Sequence, residues 1–217
     1  MLTHTENTDA NTFDPVEDTA PNYQLLMRLL DEVDPADPYA GDTELIPDLN
    51  NLMVALAYRI AVNSHAGVNR KNGEPYINHP LRVAQLVKDY SSETISVALL
   101  HDTVEDTKLS IADLRMLFPE SVCRSVEALT HADDEEYAVA IERVCKGSHD
   151  AMLVKLADTL DNSSESQLEC FDEARRERKK AKYAKARKAI LQVIENQNPL
   201  RDSIISELAI RGETKAR

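Results

Sequence analysis

The sequence is poor in the residues that favour sheets. Its 217 residues include only five glycines, no tryptophan and 5% aromatic residues, whereas alanine, leucine, glutamate, lysine and arginine are frequent. The residues of this second group are strong helix formers, so the composition predicts an all-α protein. We expect one domain of ordinary size, because the chain is long enough to bury a core and shows no internal repeat.

Cysteines and long apolar runs are also scarce. The cysteines Cys123, Cys145 and Cys170 are odd in number and lack the spacing of metal ligands, which argues against a disulfide framework. No window approaches the roughly 18 apolar residues of a membrane span, and the N-terminus lacks the basic and apolar regions of a signal peptide. The sequence therefore predicts a soluble, cytoplasmic protein without a membrane partner.

Basic residues are nearly missing from the first part of the chain. Residues 1–48 contain twelve acidic residues and a single base, Arg28, so most of the net charge of −13 lies there. Residues 1–22 have few apolar side chains, a composition typical of disorder. We predict an acidic, mostly disordered leader over residues 1–44, with a short helix at 23–33. This acidity argues against nucleic acid as a partner.

Apolar residues recur at intervals of three and four along the rest of the chain, which predicts amphipathic helices. We expect a first helix from Pro47, capped by Asp48, to about Ala66. A second helix is expected from Asn78 to about Tyr90, with a proline in its first turn. Further helices are predicted at 92–107, 110–118, 120–129, 133–144, 150–160, 171–197 and 200–211.

The last long predicted helix is strongly basic. Between residues 175 and 188 it has nine Lys or Arg and one Glu. Such a run can bind nucleic acid or anionic lipid, but we favour the alternative, a solvated face on a helix whose apolar side packs on the body. Because Pro199 breaks this helix, we set the folded domain at 45–198 and a C-terminal helix and tail at 199–217.

One stretch places four ionisable residues behind an apolar run. It reads Val-Ala-Leu-Leu-His-Asp-Thr-Val-Glu-Asp-Thr, from residue 97 to residue 107. On a helix these four share one side, because residues four apart lie one turn above each other. Ionisable groups beside a buried face are costly unless something pairs with them, and a divalent metal is a suitable partner. The alternative is a solvated polar face beside a core stripe. The four residues are His101, Asp102, Glu105 and Asp106.

Two other segments supply candidates for the same site. His79 precedes a proline at a helix start, and Asp158 lies inside an apolar helix, where a charged carboxylate needs a partner. Adding the His-Asp pair gives two imidazoles and two carboxylates, a mixed set that suits Mn, Fe, Zn or Mg. The sequence therefore predicts a divalent metal site made of His79, His101, Asp102 and Asp158.

The order His, His-Asp, Asp resembles the signature of the HD phosphohydrolase superfamily. The stretches Asn-His-Pro-Leu, His-Asp-Thr-Val-Glu-Asp-Thr and Val-Lys-Leu-Ala-Asp are similar to the hydrolase domain of RelA/SpoT proteins and the small alarmone hydrolases, over roughly residues 50–195. This resemblance implies an HD-domain helical bundle. It also implies a manganese-dependent hydrolase, other divalent metals being possible, that removes the 3′-pyrophosphate of (p)ppGpp to give GDP or GTP.

The resemblance also implies roles for individual residues. The four predicted ligands match the metal-binding residues of the family. Glu105 and Asp106 match the pair that acts on the attacking water, and either could take its proton. The alternative is that this pair only supports the metal ligands and does not act on the water.

Predicted substrate contacts lie in two regions. By resemblance, Arg70 and Lys71 correspond to the pair that contacts base and phosphate, and Asn162 to the asparagine that touches the ribose. A planar guanidinium at Arg70 suits stacking on a purine. Lys155 and Arg82 are further basic residues near the motifs. For Lys71, Lys155 and Arg82 the alternative is an ordinary surface charge.

The chain departs from the family after the distal aspartate. The usual Asp-Arg-Leu-His-Asn-Met-Arg-Thr is here Asp-Thr-Leu-Asp-Asn-Ser-Ser-Glu, with Thr159, Asp161 and Glu165 replacing Arg, His and Thr. Two fewer cations and two more carboxylates predict weaker attraction for a polyphosphate. A carboxylate at Glu165 could accept a hydrogen bond from the exocyclic amine of adenine or guanine.

Alternative functions therefore stay open. One is an HD hydrolase of another nucleotide, such as (p)ppApp or a nucleoside monophosphate. Another is a non-catalytic, nucleotide-binding regulatory module. In each case the expected partner is a small-molecule nucleotide, and the sequence leaves the oligomeric state open.

Overall fold

The computed structural model describes residues 46–132 and 134–197. In these ranges the chain forms ten helices and one isolated bridge, between Asn69 and Pro75, which confirms the predicted all-α fold. The helices are α1 (Leu52–Ser64), α2 (Asn78–Leu86), α3 (Ser92–Leu100), α4 (Thr103–Asp106), α5 (Ile111–Arg115), α6 (Glu120–Leu129), α7 (Tyr137–Lys146), α8 (His149–Asn162), α9 (Glu165–Leu168) and α10 (Glu173–Gln197). The predicted leader and the predicted C-terminal helix and tail lie outside the described residues.

Helix α3 is the centre of the core. Seven of its nine residues are buried, and it packs against α1, α2, α6 and α8. A helix that is apolar on nearly every side requires such a position. Helix α8 packs in turn on α2 and α10. His79 in α2, His101 directly after α3 and Asp158 in α8 therefore come from three elements that contact one another.

Several predicted elements are confirmed. The apolar segment at 150–160, borderline in length between helix and strand, belongs to α8. Helix α6 has the predicted bounds. The predicted capping box is present at α5, where the Ser110 hydroxyl accepts from the Asp113 N–H at 3.2 Å and the Asp113 carboxylate accepts from the Ser110 N–H at 2.9 Å. All three cysteines are free.

The predicted start of the first helix is wrong. Helix α1 begins at Leu52, and its cap is Asn51, whose side chain accepts from the Met53 N–H at 3.0 Å. Asp48, the predicted cap, has a φ of 54°, which is incompatible with a right-handed helix. Its carboxylate instead accepts a hydrogen bond from the Ser92 hydroxyl at 2.5 Å, at the start of α3.

Two further boundaries differ from those predicted. Helix α2 ends at Leu86 rather than near Tyr90, because the Val87 N–H turns to the Ala84 carbonyl, three residues back. Helix α7 begins at Tyr137 rather than at 133. Asp134 has a φ of 61°, a left-handed conformation that ends any helix passing through it.

The predicted continuous helix through the His-Asp pair is also wrong. Helix α3 ends at Leu100, and α4 begins at Thr103. At this point side chains form hydrogen bonds with backbone carbonyl groups. His101 Nδ1 lies 2.8 Å from the Ala98 oxygen, and the Thr103 hydroxyl donates to the Leu100 oxygen at 2.7 Å. Such local hydrogen bonds compete with the backbone ladder of a helix. The break therefore contains the predicted ligands His101 and Asp102, and the predicted catalytic carboxylates follow it on α4.

The basic helix α10 packs on the body as predicted. Its buried residues are Tyr183, Ala186, Ile190 and Ile194, at helical spacing. Most of the cations between residues 175 and 188 are exposed or half-buried on the other sides of the helix. No helix in the described part of the chain is long and apolar enough to cross a bilayer.

Candidate active site

Two buried imidazoles face each other where α2, α3 and α8 meet. The Nε2 atoms of His79 and His101 are 3.3 Å apart. One Asp102 oxygen lies 3.2 Å from His101 Nε2, and the other lies 3.5 Å from His79 Nε2. Asp158 Oδ1 lies 3.2 Å from His79 Nε2 and 4.0 Å from His101 Nε2. The fold therefore brings together all four side chains that the sequence predicts as metal ligands.

The remaining nitrogen of each imidazole is held by an oxygen. His101 Nδ1 lies 2.8 Å from the Ala98 carbonyl, and His79 Nδ1 lies 2.7 Å from Asp161 Oδ2. Because a carbonyl and a charged carboxylate can only accept, Nδ1 carries the proton in both rings. When the rings are neutral, their Nε2 atoms are free to coordinate a metal, and the oxygens behind them fix the orientation of the rings.

The charge of the cluster favours a cation. Burial lowers the pKa of His101, but Asp102 and Asp158 raise it more strongly, to about 9. The pKa of His79 is likewise raised by its carboxylate neighbours against the effect of burial. Without a metal, the carboxylates thus hold protons on the imidazoles. A divalent cation between the same groups would replace those protons.

Two other α8 residues hold the Asp158 carboxylate. The Lys155 ammonium lies 2.8 Å from Oδ2, and the Asn162 amide donates to Oδ1. Burial raises the pKa of Asp158, but Lys155, His79 and His101 together outweigh burial and hold that pKa well below its usual value. Lys155, predicted to contact substrate, contacts a candidate metal ligand in this structure. Its contact with substrate stays a prediction.

A cavity of about 410 Å³ lies beside the metal-ligand cluster. The loop between α1 and α2 forms one wall, and its turn closes at Gly73, whose φ of 90° suits a glycine. The predicted substrate contacts Arg70, Lys71 and Asn162 all line this cavity. Other lining residues include Tyr76, Asp106, Gln167, Phe171 and Lys179.

Cations surround the aromatic ring in the cavity wall. The ammonium groups of Lys71 and Lys179 lie 5.8 Å and 4.9 Å from the centroid of the Phe171 ring, and the Arg175 guanidinium lies 4.7 Å from it. These distances are within the range of cation–π attraction. The cavity therefore offers positive charge for an anionic ligand and an apolar surface at the same place.

Arg70 is fixed rather than free in this cavity. Its Nη2 donates to the Asn162 side-chain oxygen at 2.6 Å, and its Nη1 donates to Asp161 at 3.2 Å. The guanidinium carbon lies 6.0 Å from the centroid of the Tyr76 ring. The planar group predicted to stack on a purine is thus held in one orientation before any ligand binds.

The predicted catalytic carboxylates follow the His-Asp pair on α4. Asp106 lines the cavity, whereas Glu105 Oε2 accepts from the His131 N–H at 2.9 Å. Burial raises the pKa of both carboxyls, and the nearby Asp102 charge raises it further. The hydrogen bonds from His131 to Glu105 and from Tyr76 to Asp106 lower the pKa, but by less. A carboxylate with a raised pKa is a better proton acceptor near neutral pH.

Sequence reasoning missed Tyr76. Its hydroxyl donates to Asp102 Oδ2 at 2.7 Å, and its ring stacks on His65 with centroids 4.6 Å apart. Burial lowers the pKa of His65 to about 4, so this imidazole is neutral at physiological pH. Tyr76 lies three residues before His79, just ahead of the Asn-His-Pro-Leu segment. This position in the sequence was a usable sign that Tyr76 lies near the candidate site.

The three departures from the family occupy different environments. Thr159 is buried, and its hydroxyl donates to the Leu156 carbonyl at 2.8 Å. Asp161 is buried against His79 and two arginines, a contact that the sequence did not reveal. Glu165 is paired with Lys180 at 3.0 Å and is not among the residues that line the cavity. The expected contact of Glu165 with a base therefore finds no support.

Comparison with known proteins identifies a family and several relatives of this chain. A family model described as HD domain matches residues 57–197. The chain is 36% identical over 138 residues to the GTP pyrophosphokinase rsh of Brucella suis biovar 1 (strain 1330), covering 58% of this chain and 18% of that protein. It is 35% identical over 141 residues to the guanosine-3′,5′-bis(diphosphate) 3′-pyrophosphohydrolase of Aquifex aeolicus (strain VF5), covering 56% and 20%.

A bifunctional relative and a solved structure also match. The bifunctional (p)ppGpp synthase/hydrolase SpoT of Escherichia coli (strain K12) is 43% identical over 81 residues, covering 36% of this chain and 11% of that protein. A structure described as a metazoan orthologue of SpoT that hydrolyses ppGpp has a TM-score of 0.60 and 26% identity, covering 74% of this chain and 96% of that chain. The chain spans no more than a fifth of the length of the curated relatives named here.

Proposed function

The chain belongs to the HD domain family, and from this we propose that it is a metal-dependent phosphohydrolase that removes the 3′-pyrophosphate of (p)ppGpp-like alarmones. The products are GDP or GTP and pyrophosphate. One observation carries the proposal: two imidazoles and two carboxylates converge beside a cavity lined with cations. Relatives named as hydrolases of this substrate support the choice of reaction.

The donor set fits a divalent cation. Both imidazoles have their Nδ1 hydrogen bonds occupied by oxygens, so each presents Nε2 to the common centre. Two nitrogens and two carboxylate oxygens suit manganese, iron, zinc or magnesium, and we propose Mn²⁺. The ligands are His79, His101, Asp102 and Asp158.

The reaction breaks one P–O bond. Water attacks the phosphorus attached to the ribose 3′ oxygen, and that oxygen leaves with a proton, so the nucleotide regains its 3′ hydroxyl. His79, His101, Asp102 and Asp158 would hold a divalent cation, which would polarise the phosphoryl oxygens and make water more acidic. Glu105 or Asp106 accepts the proton of the attacking water, a task favoured by their raised pKa values.

Cationic side chains bind and orient the substrate. Lys71 and Lys155 attract the pyrophosphate, while Arg70 offers a fixed planar surface to the base. Asn162 contacts the ribose from the end of α8, where it also supports the Asp158 carboxylate. The substrate is thus held between the cavity wall and the metal ligands, which places the 3′-phosphate near the catalytic carboxylates.

The test is a substrate panel. Purified full-length protein is incubated with Mn²⁺ and, separately, ppGpp, pppGpp, ppApp and simple nucleotides, and the products are resolved by anion exchange. We expect release of pyrophosphate from the 3′-pyrophosphorylated nucleotides, suppressed by EDTA and restored by added metal. Turnover of none of them with any divalent metal, together with measurable nucleotide binding, would instead establish a binding module. Comparison of ppGpp with ppApp identifies the preferred base.

A further inference from the structure

Asp161 is a buried carboxylate shared by two parts of the site. Its side chain is 5% exposed, and its Oδ2 lies 2.7 Å from Nδ1 of His79. The other oxygen accepts from Arg82 Nε at 2.5 Å, and Oδ2 also accepts from Arg82 Nη2 at 3.1 Å and Arg70 Nη1 at 3.2 Å. Asp161 thus contacts a candidate metal ligand and a cavity arginine simultaneously.

We propose that Asp161 is a positioning residue that fixes the His79 imidazole for metal binding and couples it to Arg70 in the substrate cavity. The inference rests on the proposed metal-dependent function. A carboxylate behind a metal-binding histidine selects the tautomer with the proton on Nδ1 and holds the plane of the ring. Losing such a partner typically costs 10–100-fold in metal affinity.

The coupling runs through two consecutive residues of α8. Asp161 and Asn162 each accept from one terminal nitrogen of the Arg70 guanidinium. Asp161 also orients His79, while the Asn162 amide donates to Asp158. The orientation of Arg70 therefore depends on the same pair of residues that holds two of the candidate ligands. Disturbing Asp161 is expected to weaken binding of both metal and nucleotide.

Arg82 makes the effect of an amide at this position predictable. It is held bidentately by Glu74, at 2.8 Å and 3.1 Å, and donates twice to Asp161. In Asp161→Asn, an amide oxygen in the place of Oδ2 keeps the contacts with His79 Nδ1, Arg82 Nη2 and Arg70 Nη1, and the NH₂ group then faces the donor Arg82 Nε. The neutral amide is a weaker acceptor than the carboxylate and opposes one arginine donor, so the hydrogen bond that orients the His79 ring becomes weaker.

The experiment measures metal affinity without turnover. The Mn²⁺ dissociation constant of the full-length wild type and of Asp161→Asn is determined by calorimetry. The hydrogen bond of the His79 Nδ1 proton is read from its ¹H shift in the Zn²⁺-loaded proteins, because Zn²⁺ is diamagnetic and a metal-bound ring is neutral. We expect a dissociation constant 10–100-fold larger and an upfield shift of the His79 Nδ1 proton, which reports a weaker hydrogen bond. At saturating Mn²⁺, KM for the nucleotide should rise more than kcat falls, because the neutral amide holds Arg70 less firmly.

A matched variant separates positioning from general destabilisation. Asp113→Asn alters another buried, hydrogen-bonded carboxylate, in the capping box of α5. It should lower the melting temperature without changing Mn²⁺ affinity or the shift of the His79 Nδ1 proton. Should Asp161→Asn not fold, Asp161→Glu keeps the charge for Arg82 while moving the oxygens relative to His79, and the same two measurements are made on it.

The outcomes distinguish this inference from the proposed function. A wild type that binds Mn²⁺ and hydrolyses the alarmone, with an Asp161 variant of unchanged affinity and unchanged Nδ1 proton shift, overturns the positioning role alone. A wild type that binds no divalent cation overturns both. Weakened affinity without a change in the Nδ1 proton shift contradicts the stated mechanism, since His79 would then be oriented by another group.

Discussion

The Lys155 ammonium and the Asp158 carboxylate lie 2.8 Å apart on successive turns of α8. Both belong to the Val-Lys-Leu-Ala-Asp segment, in which Lys155 was expected to face the substrate. The pair shows how a buried carboxylate stays charged at the centre of a helical domain. Lys155 is one positive partner of the Asp158 carboxylate, and a metal ion at the candidate site would be a second.

Replacing Asp158 with Asn should abolish metal-dependent hydrolysis. The amide keeps the shape of the side chain but loses the charge that a divalent cation requires. The protein should remain helical by circular dichroism. The control is Asp150→Asn, at the start of the same helix. The Asp150 carboxylate accepts a hydrogen bond from the Thr94 hydroxyl, and this variant should keep full activity. Full activity of Asp158→Asn with stoichiometric metal would remove this residue from the site.

Metal removal should lower the melting temperature. A ligand that binds only the folded protein stabilises it by mass action, by about 2.7 kcal/mol at a concentration 100 times its dissociation constant. Differential scanning calorimetry with increasing Mn²⁺ should show a rising transition that EDTA reverses. Asp158→Asn should show little of this shift. Identical transitions of wild type with and without metal would contradict the metal site.

The metal-free protein should lose stability as pH rises from about 6.5 to about 9. The pKa of His101 is lowered by burial but raised more strongly by Asp102 and Asp158, to about 9. A group whose pKa is higher in the folded state contributes full stability below its unfolded pKa of about 6.5. That contribution is lost as pH passes through the folded value. His79 acts in the same direction.

This pH dependence is measured by thermal melts in EDTA at several pH values. The slope should flatten in His101→Asn, which removes the titrating ring. It should also flatten with saturating Mn²⁺, because metal then replaces the protons and its affinity rises with pH. A metal-free wild type that is equally stable at pH 6.5 and pH 9 would show that the imidazoles do not carry those protons.

Replacing Glu105 with Gln should lower turnover by roughly 10²–10⁴-fold, the usual contribution of a placed general base. Nucleotide affinity should change little, because Gln keeps an oxygen for the His131 N–H and leaves the metal ligands intact. Single-turnover hydrolysis and equilibrium nucleotide binding are measured on the same variant. Asp106→Asn, measured in parallel, shows which carboxylate takes the proton. Binding that collapses together with turnover would mean that the pair holds metal or fold.

Replacing Arg70 with Lys should raise KM about tenfold with a smaller effect on kcat. Lysine keeps the charge but cannot donate to Asp161 and Asn162 in the forked geometry of the guanidinium. The planar surface offered to the base is lost as well. Lys146→Met, which removes an exposed cation at the end of α7, is the control and should leave both constants unchanged. An unchanged KM in Arg70→Lys would argue against contact with the nucleotide.

The helices and the candidate ligands were recognisable from the sequence alone. Apolar residues at three- and four-residue spacing indicated most of the described helices, because one face of each must be buried. His101, Asp102 and Asp158 were recognisable because ionisable groups beside or inside apolar segments need partners. His79 was recognisable as a histidine before a proline at a helix start, in the order of the HD signature. Helix boundaries were less predictable. The Asn51 cap and the break after Leu100 depend on which side chain takes a backbone group, and several nearby residues could do so.

The contacts between helices were decided only by the tertiary structure. His79 and Asp161 are 82 residues apart, and their hydrogen bond exists because α2 packs against α8. From the sequence, Asp161 was an unfavourable extra negative charge near an anionic substrate. In the structure it is enclosed by His79, Arg70 and Arg82. The physical reason is that periodicity determines which face of a helix is buried, whereas packing determines which side chains of two buried faces meet.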